Sequence, residues 1–450
     1  MAAKFERFAS AEKGNGLRAT HEIHAGELLY TAEPLAYCVS NTCAKDLCHS
    51  CFSRRKTLLR CSQCKVARYC DVTCQKQAWS DHKRECKCLR SLHPRIPTDS
   101  VRLAARIIFR LLSPSQTSPG LCSLEEHESH LCDMGEERRE GLSQLSSMLQ
   151  LYIQQEVPNI TQELPAVDPL SLLAKLTCNC FTISDGELRE IGVGLYPSMS
   201  LLNHDCRPSC VMLFEGETLH LRAVRDMQPA EELTISYIGT LAPTRDRRTQ
   251  LEEQYHFTCQ CQRCTTADMD PVMLCGEEKA WTPLREAIPT LENWQTQACW
   301  NELLYECSSL LDPLDGDVPA VPDCNVYRLR VTDLAMDACI NLAAWDTALA
   351  YGTITLEPYR QYYPDPHPAH AIQLMRVAKL QHFLVHLGDA QHTLRLVSWA
   401  ANHCYGCPIP RLPSSISGLG SGGCNVTEHL GPSNSNLDLK ASSTAVILPV

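Results

Sequence analysis

The sequence predicts an α+β protein: a strand-rich half interrupted by a compact cysteine-rich insert, followed by an α-helical array. Three observations carry this prediction. Short apolar runs broken by Gly, Pro and acidic turns fill residues 1–45 and return between Ile191 and Ile238. Cys48, Cys51, Cys61, Cys64, Cys70, Cys74, His82 and Cys86 fall in a fixed rhythm between these strand-rich stretches. In the last third, apolar residues recur at helical spacing with a longer repeat laid over them.

Residues 1–45 read as short extended pieces, with Gly14-Asn15-Gly16 and Gly26 as breakers ahead of Glu27 to Tyr37. The cysteine run comes next. A tetrahedral Zn²⁺ takes four Cys or His donors at about 2.0–2.3 Å, and CxxC turns bring two thiolates to one ion without strain. Two CxxC pairs, then CxxxC and HxxxC, supply two complete sets. The competing reading is a disulfide framework. The chain opens MAAKFERFAS without an apolar signal core, and no run of about 18 apolar residues occurs, so an intracellular, soluble protein with no membrane contact is expected. In a reducing compartment 27 cysteines do not pair wholesale, which favours metal for the clustered ones. Formal net charge is -11, yet Lys45 to Arg90 holds twelve Lys and Arg against four Asp and Glu. Two Zn²⁺ and seven ionised Cys ligands reduce that local +8 to about +5, a basic knob on an acidic body.

Beyond the insert, Val101, Ala104, Ile107, Ile108 and Leu111 repeat at helical spacing behind Asp99 and Ser100 as caps. Leu142, Leu145, Leu149, Tyr152 and Ile153 do the same. Leu219 to Val224 and Leu233 to Tyr237 read as strands. Cys206, in Asn203-His204-Asp205-Cys206, is then joined by Cys259, Cys261 and Cys264 as a third set of four thiolates. Ala348 recurs as Ala390 after 42 residues, with a weaker echo at Leu303, which suggests paired helices of the tetratricopeptide type. From about Tyr405 the text turns Ser, Gly and Pro rich and reads as a disordered tail, 404–450.

The strings GVGLYPSMSLLNHDC, ELTISY ending in Tyr237, and YHFTCQCQRC resemble the SET-domain protein lysine methyltransferases. With the zinc run inserted after KGNGLRA, the chain is similar to the SMYD family, in which a MYND zinc module splits the SET domain. RCSQCKVARYC and QKQAWSDHKREC are most like the family's third member. The resemblance spans roughly residues 4 to 400. It implies a SET N-terminal part at 1–44, the MYND module at 45–90 and a helical insert at 91–180. It further implies a SET core at 181–240, a post-SET zinc segment at 241–270 and a tetratricopeptide-like domain at 271–403. Where the family would continue with further packed helices, the altered terminus predicts an unfinished array with an exposed apolar end.

The same resemblance implies S-adenosylmethionine and three Zn as cofactors, and histone or other protein lysines as substrates. Zinc ligands would be shared as Cys48, Cys51, Cys70 and Cys74, then Cys61, Cys64, His82 and Cys86, then Cys206, Cys259, Cys261 and Cys264. Tyr237 would be catalytic. Lys13, Gly14, Asn15, Gly16, His130, Asn179, Asn203, His204, Tyr237 and Phe257 would bind the cofactor, and Phe181, Tyr237, Tyr255 and Phe257 would wall the lysine channel. Asp205 and Ser209 depart from the family's usual Ser and Asn, which puts full activity in question. The basic face (Arg54, Arg55, Lys56, Lys65, Arg68, Lys83, Arg84, Lys87) suits a proline-rich peptide or DNA, or is simply solvated. A chaperone contact through the helical array and residence in cytoplasm and nucleus are also implied. The rival reading is a zinc-stabilised adaptor or transcriptional cofactor with an impaired SET site.

Overall fold

The computed structural model describes residues 4–10, 12–113, 121–312, 320–363 and 366–405, with side chains as far as residue 398. The 406–450 part of the expected tail lies outside the described residues. Strands β1 (Phe5–Ser10) and β2 (Gly14–Ala19) form a hairpin in register Phe5 opposite Ala19 and Ser10 opposite Gly14. Alternation along β2 sends Leu17 and Ala19 into the core and leaves Arg18 paired with Glu6. The stretch from Glu27 to Tyr37 opens β3 (Leu28–Ala32) and β4 (Ala36–Val39), divided at Pro34, which cannot donate to a ladder.

The cysteine-rich insert holds the two-residue strands β5 (Leu59–Arg60) and β6 (Arg68–Tyr69) and helix α1 (Val72–Leu92). Asp71 caps that helix by accepting from the Cys74 N–H at 2.9 Å. Helices α2 (Asp99–Leu111), α3 (Glu136–Ile153), α4 (Ile160–Glu163) and α5 (Pro169–Asn179) follow. The α2 cap is Thr98, not Asp99 or Ser100. Asp99 instead turns its carboxylate onto Ser40 Oγ (2.8 Å) and the Asn41 N–H (3.0 Å), binding the helix start to the end of β4.

Seven elements then build the centre: β7 (Cys180–Ser184), β8 (Glu190–Leu195), β9 (Asn203–His204), β10 (Cys210–Glu215), β11 (Thr218–Ala223), β12 (Glu232–Ile235) and α6 (Thr244–Tyr255). Sheet orders are β1-β2-β12-β9, β10-β11-β3 and β4-β8-β7. In the first, β9 lies parallel to β12, matching Asn203 with Thr234 and His204 with Ile235. A two-residue parallel strand is weakly held by its own ladder, so other contacts must fix it.

The remaining chain is helical: α7 (Gln262–Thr266), α8 (Asp270–Met273), α9 (Glu278–Thr296), α10 (Trp300–Leu311), α11 (Val326–Asn341), α12 (Trp345–Tyr362), α13 (Pro368–Phe383) and α14 (Leu387–Tyr405). The sequence repeat is a structural repeat. Leu303, Ala348 and Ala390 are each the fourth residue of α10, α12 and α14, and all three are buried. The turn before each of these helices is also the same, with Ala298, Ala343 and Val385 in the left-handed region at φ 57°, 61° and 64°. Gly352 lets α12 pack closely, since a Cβ there would meet Met336 Cε at 3.0 Å and Val377 Cγ2 at 3.1 Å. On α14, Leu387 and Leu396 are exposed.

The zinc insert is more than a knob. Helix α1 buries His82, Glu85, Cys86, Cys88 and Leu89, and the last two share one apolar core with α2, α3 and α5. Within that interface Glu85 is 1% exposed and meets Arg102 Nε at 2.9 Å and Arg106 Nη1 at 3.1 Å. Arg102 also donates to Val39 O and Asn41 Oδ1, both at 3.0 Å, so one carboxylate joins insert, helix and sheet. Burial alone would raise the Glu85 carboxyl, but the two guanidinium groups hold it well below the usual carboxylate range. Removing one partner of such a buried set leaves uncompensated charge, at a cost of about 3–5 kcal/mol. Glu85→Gln is therefore expected to lower unfolding free energy by roughly that amount in urea titration; a loss within 0.5 kcal/mol (about the surface-substitution scale) would show the ion network to be unimportant.

Candidate active site

Three donor sets converge as the sequence pattern requires. In each of Cys48/Cys51/Cys70/Cys74, Cys61/Cys64/His82/Cys86 and Cys206/Cys259/Cys261/Cys264, the donor atoms lie within 4.8 Å of one another. Zn–S bonds of about 2.3 Å at tetrahedral angles place two sulfurs about 3.8 Å apart. Observed Sγ separations are 3.7 Å for Cys51 and Cys70, 3.7 Å for Cys61 and Cys86, and 3.5 Å for Cys206 and Cys264. Cys64 Sγ lies 3.6 Å from His82 Nε2, near the roughly 3.5 Å expected of a mixed sulfur and nitrogen pair. These spacings fit zinc and are far from the 2.03–2.05 Å of a disulfide. Ligand pairs adjacent in sequence alternate between the first two ions, which knits the insert together.

At the third set, four thiolates around Zn²⁺ would leave a charge of about -2 in a buried place. Two arginines offset it. Arg247, fully buried, directs Nη2 to Cys264 Sγ at 3.5 Å, and Arg263 donates from Nη1 to Cys206 O at 3.1 Å. Two residues before Cys206, His204 accepts the Tyr237 N–H on Nδ1 (3.0 Å) and points Nε2 at Cys206 Sγ (3.2 Å). Burial pushes His204 down to about 4, so it is a neutral imidazole with its proton on Nε2.

Tyr237 is the hub of the aromatic residues. Its ring centroid lies 4.9 Å from Tyr255, 5.3 Å from His204 and 6.3 Å from Phe257, the last edge-on at 88°. Its hydroxyl donates to Leu202 O at 2.6 Å, and Tyr255 donates to Tyr237 O at 3.3 Å. Burial pushes both phenols up, so they stay un-ionised at neutral pH. Phe181, Tyr237 and Tyr255 line a cleft of about 730 Å³ whose opposite wall is the helical array, with Tyr327, Tyr359 and Tyr363 among its residues. Phe257 is not among the cleft-lining residues and stands behind Tyr237.

The residues expected to bind cofactor fall into separate clusters, one around Asn203 and Lys13 and others at Asn179, at His130 and at Phe257. Asn203 Nδ2 donates to Asn15 O (3.2 Å) and Glu232 Oε1 (2.8 Å), while Lys13 Nζ reaches Glu232 Oε2 at 2.7 Å. Gly16 must be glycine: a Cβ would sit 2.8 Å from Phe8 Cε1 and 3.0 Å from Asn203 Nδ2. Gly14, at φ 73°, has nothing within 4 Å of its Cβ position, so backbone there is open to a ligand. On the other side, Asn179 Nδ2 donates to Glu128 O at 3.0 Å, and its carbonyl accepts from Ser200 Oγ at 3.2 Å. His130 pairs with Asp133 at 3.1 Å and lies 5.2 Å, ring to ring, from His256. Phe257 closes the series 6.0 Å from the His204 ring.

Sequence reasoning missed three members. Glu232 fixes both Lys13 and Asn203, Leu202 supplies the carbonyl on Tyr237, and His256 adopts φ 61° with its Nε2 buried and unpartnered. The signal for His256 was its place between Tyr255 and Phe257. Its orphaned nitrogen is a polar atom that a bound cofactor could satisfy.

A family model described as SET domain matches residues 14–238. The chain is 45% identical over 395 residues to "Histone-lysine N-methyltransferase SMYD3" of Homo sapiens, covering 87% of this chain and 91% of that protein. For SMYD3 of Mus musculus the identity is 44% over 397 residues, covering 88% and 92%. The chain belongs to the SMYD family. Identity to the "N-lysine methyltransferase SMYD2-A" of Xenopus laevis is lower, 34% over 380 residues, covering 80% and 85%.

Two positions in this SMYD chain that differ from the expected motif are both accommodated. Asp205 receives the Arg207 N–H on its carboxylate at 2.7 Å and donates its own N–H to Ile235 O at 2.9 Å. Ser209 is fully buried, accepting the Thr234 N–H at 2.9 Å and so pinning β12. If the three donor sets hold metal, the purified chain contains three zinc ions by atomic absorption and Cys264→Ser contains two. A count of three in the variant would contradict the assignment of the third set.

Proposed function

We propose that the chain is an S-adenosylmethionine-dependent protein-lysine N-methyltransferase acting on histone tails and other proteins. The observation that carries this reading is the state of the Tyr237 hydroxyl. Its single proton is committed to Leu202 O, so the oxygen's remaining lone pair is an acceptor for an N–H of an amine entering the cleft. An amine held that way has its own lone pair fixed in direction, which is the main requirement of an in-line methyl transfer. Lys13 to Gly16, His130, Asn179, Asn203, His204 and Phe257 are the residues that would hold the cofactor. When bound, S-adenosylmethionine supplies a methyl group on a sulfonium.

The substrate amine must be neutral. Lysine with a pKa near 10.4 costs about 4–5 kcal/mol to deprotonate at pH 7, and the aromatic walls of Tyr237, Tyr255 and Phe181 lower that cost by desolvating the ammonium. No ionised phenol is available as base, since burial pushes Tyr237 and Tyr255 up. The sign follows: kcat/KM should rise with pH from 7 towards 9 as the amine fraction grows. The exposed basic residues of the zinc insert, among them Arg54, Arg55 and Lys83, support a docking role towards a proline-rich peptide or DNA. A chaperone contact through the array, and work in both cytoplasm and nucleus, complete the reading.

Methyl transfer from labelled cofactor to histones tests it. Tyr237→Phe should lower kcat by about 10²–10³-fold, the scale on which one oriented hydroxyl contributes, while zinc content stays at wild-type level. Wild-type protein that binds cofactor and three zinc ions yet transfers no methyl group to histones or a protein extract would favour the adaptor reading.

A further inference from the structure

Cys275 and Cys324 are 49 residues apart in sequence and 3.2 Å apart sulfur to sulfur. Neither belongs to a zinc set, and neither lines the cleft. They join two parts of the helical array: Cys275 lies in the link between α8 and α9, and Cys324 lies just before α11.

The surroundings hold the pair in place. Asn325, fully buried, donates its side-chain amide to Cys275 O at 2.8 Å, and its Oδ1 caps α11 by accepting the Tyr327 N–H at 3.0 Å. The Tyr362 hydroxyl donates to Cys324 O. Gly276, at φ 92°, brings the two segments together, because a Cβ there would stand 3.0 Å from Pro322 Cδ. Both cysteines are half-buried beside the exposed residues Gly276, Glu277, Pro322 and Asp323, so solvent species reach them.

We propose that Cys275 and Cys324 form a reversible dithiol-disulfide site that staples the start of α9 to the start of α11, and that in its reduced state the site takes trivalent arsenicals. Forming the bond needs the sulfurs to close by about 1.2 Å, a side-chain rotation rather than a rearrangement. The oxidant is a low-molecular-weight disulfide such as oxidised glutathione. The exchange is the same whichever thiol leads, and with Cys324 leading it proceeds in two steps. The Cys324 thiolate bonds to one glutathione sulfur, the glutathione S–S bond breaks, and one glutathione thiolate leaves and takes a proton from water. Cys275 then loses its proton and attacks the Cys324 sulfur, expelling the second glutathione. Two protein thiols are oxidised and one small disulfide is reduced to two thiols. The ring so closed contains α9 and α10, and it fixes the point from which α11 presents Val326, Tyr327 and Arg330 to the cleft.

The test uses the full zinc-loaded chain in glutathione redox buffers. Non-reducing peptide mapping should find Cys275 linked to Cys324, with three zinc ions retained, melting temperature raised by a few degrees, and full reversal by dithiothreitol. Phenylarsine oxide condenses with the two thiols, forming two As–S bonds while its oxygen leaves with both thiol protons as water; it should bind one equivalent with a Kd at least ten-fold tighter than for Cys275→Ser or Cys324→Ser, and neither variant should gain stability on oxidation. The proposal is overturned if differential alkylation leaves both thiols free in oxidised glutathione, if the link forms only after zinc is lost, or if the single variants bind the arsenical as tightly as wild type.

Discussion

Four thiols, from Cys206 and from Cys259, Cys261 and Cys264, tie the two halves of the candidate site to one point. On one side the clamp lies two residues from His204, on the short strand β9 that its own ladder could not hold. On the other it lies two residues from Phe257 and four from Tyr255. The His204 tautomer follows from the clamp, with Nε2 directed at Cys206 and Nδ1 left to accept from Tyr237. Tyr237 therefore takes its backbone position from a strand that ends two residues before one ligand, and its ring neighbours Tyr255 and Phe257 from the end of α6 and the segment leading to the other three. Arg247 and Arg263 make the arrangement affordable by meeting the buried negative charge with two cations.

A second constraint keeps the zinc insert from acting as an independent module. Glu85 sits on the same helix as the ligands His82 and Cys86 and is bound to Arg102 and Arg106 on the neighbouring helix. Metal in the insert thus supports the interface with α2, and through Arg102 the sheet that carries Phe181. The helical array supplies the far wall of the cleft through one repeated turn and one repeated small or branched residue, Leu303, Ala348 and Ala390. A channel walled by separate parts of the chain has to be set by such cross-links, because none of its walls is continuous in sequence.

What could be read from the sequence follows how local each interaction is. The ligands of the insert were legible because CxxC and HxxxC pairs repeat within forty residues, and the array because its repeat survives at 42 residues. The expected cofactor residues were legible only through resemblance, since Lys13 and Asn203 meet on Glu232 across long stretches of chain. Arg102 and Arg106 were hidden for a physical reason: a charge on a helix normally marks its solvated face, and here the partner carboxylate comes from another element. His256 was missed although it sits between Tyr255 and Phe257, because nothing local shows that the backbone turns left-handed there and buries Nε2. The expected cap at Asp99 or Ser100 failed because Asp99 serves a tertiary contact with Ser40 and Asn41.

The central claim is that the third thiolate set organises the methyl-transfer site. Calorimetric titration of S-adenosylmethionine into wild type and Cys259→Ser tests it most directly, with zinc measured in the same samples. The account predicts that the variant keeps the two zinc ions of the insert and binds the cofactor at least ten-fold more weakly. Unchanged affinity in a variant confirmed to hold only two zinc ions would contradict it.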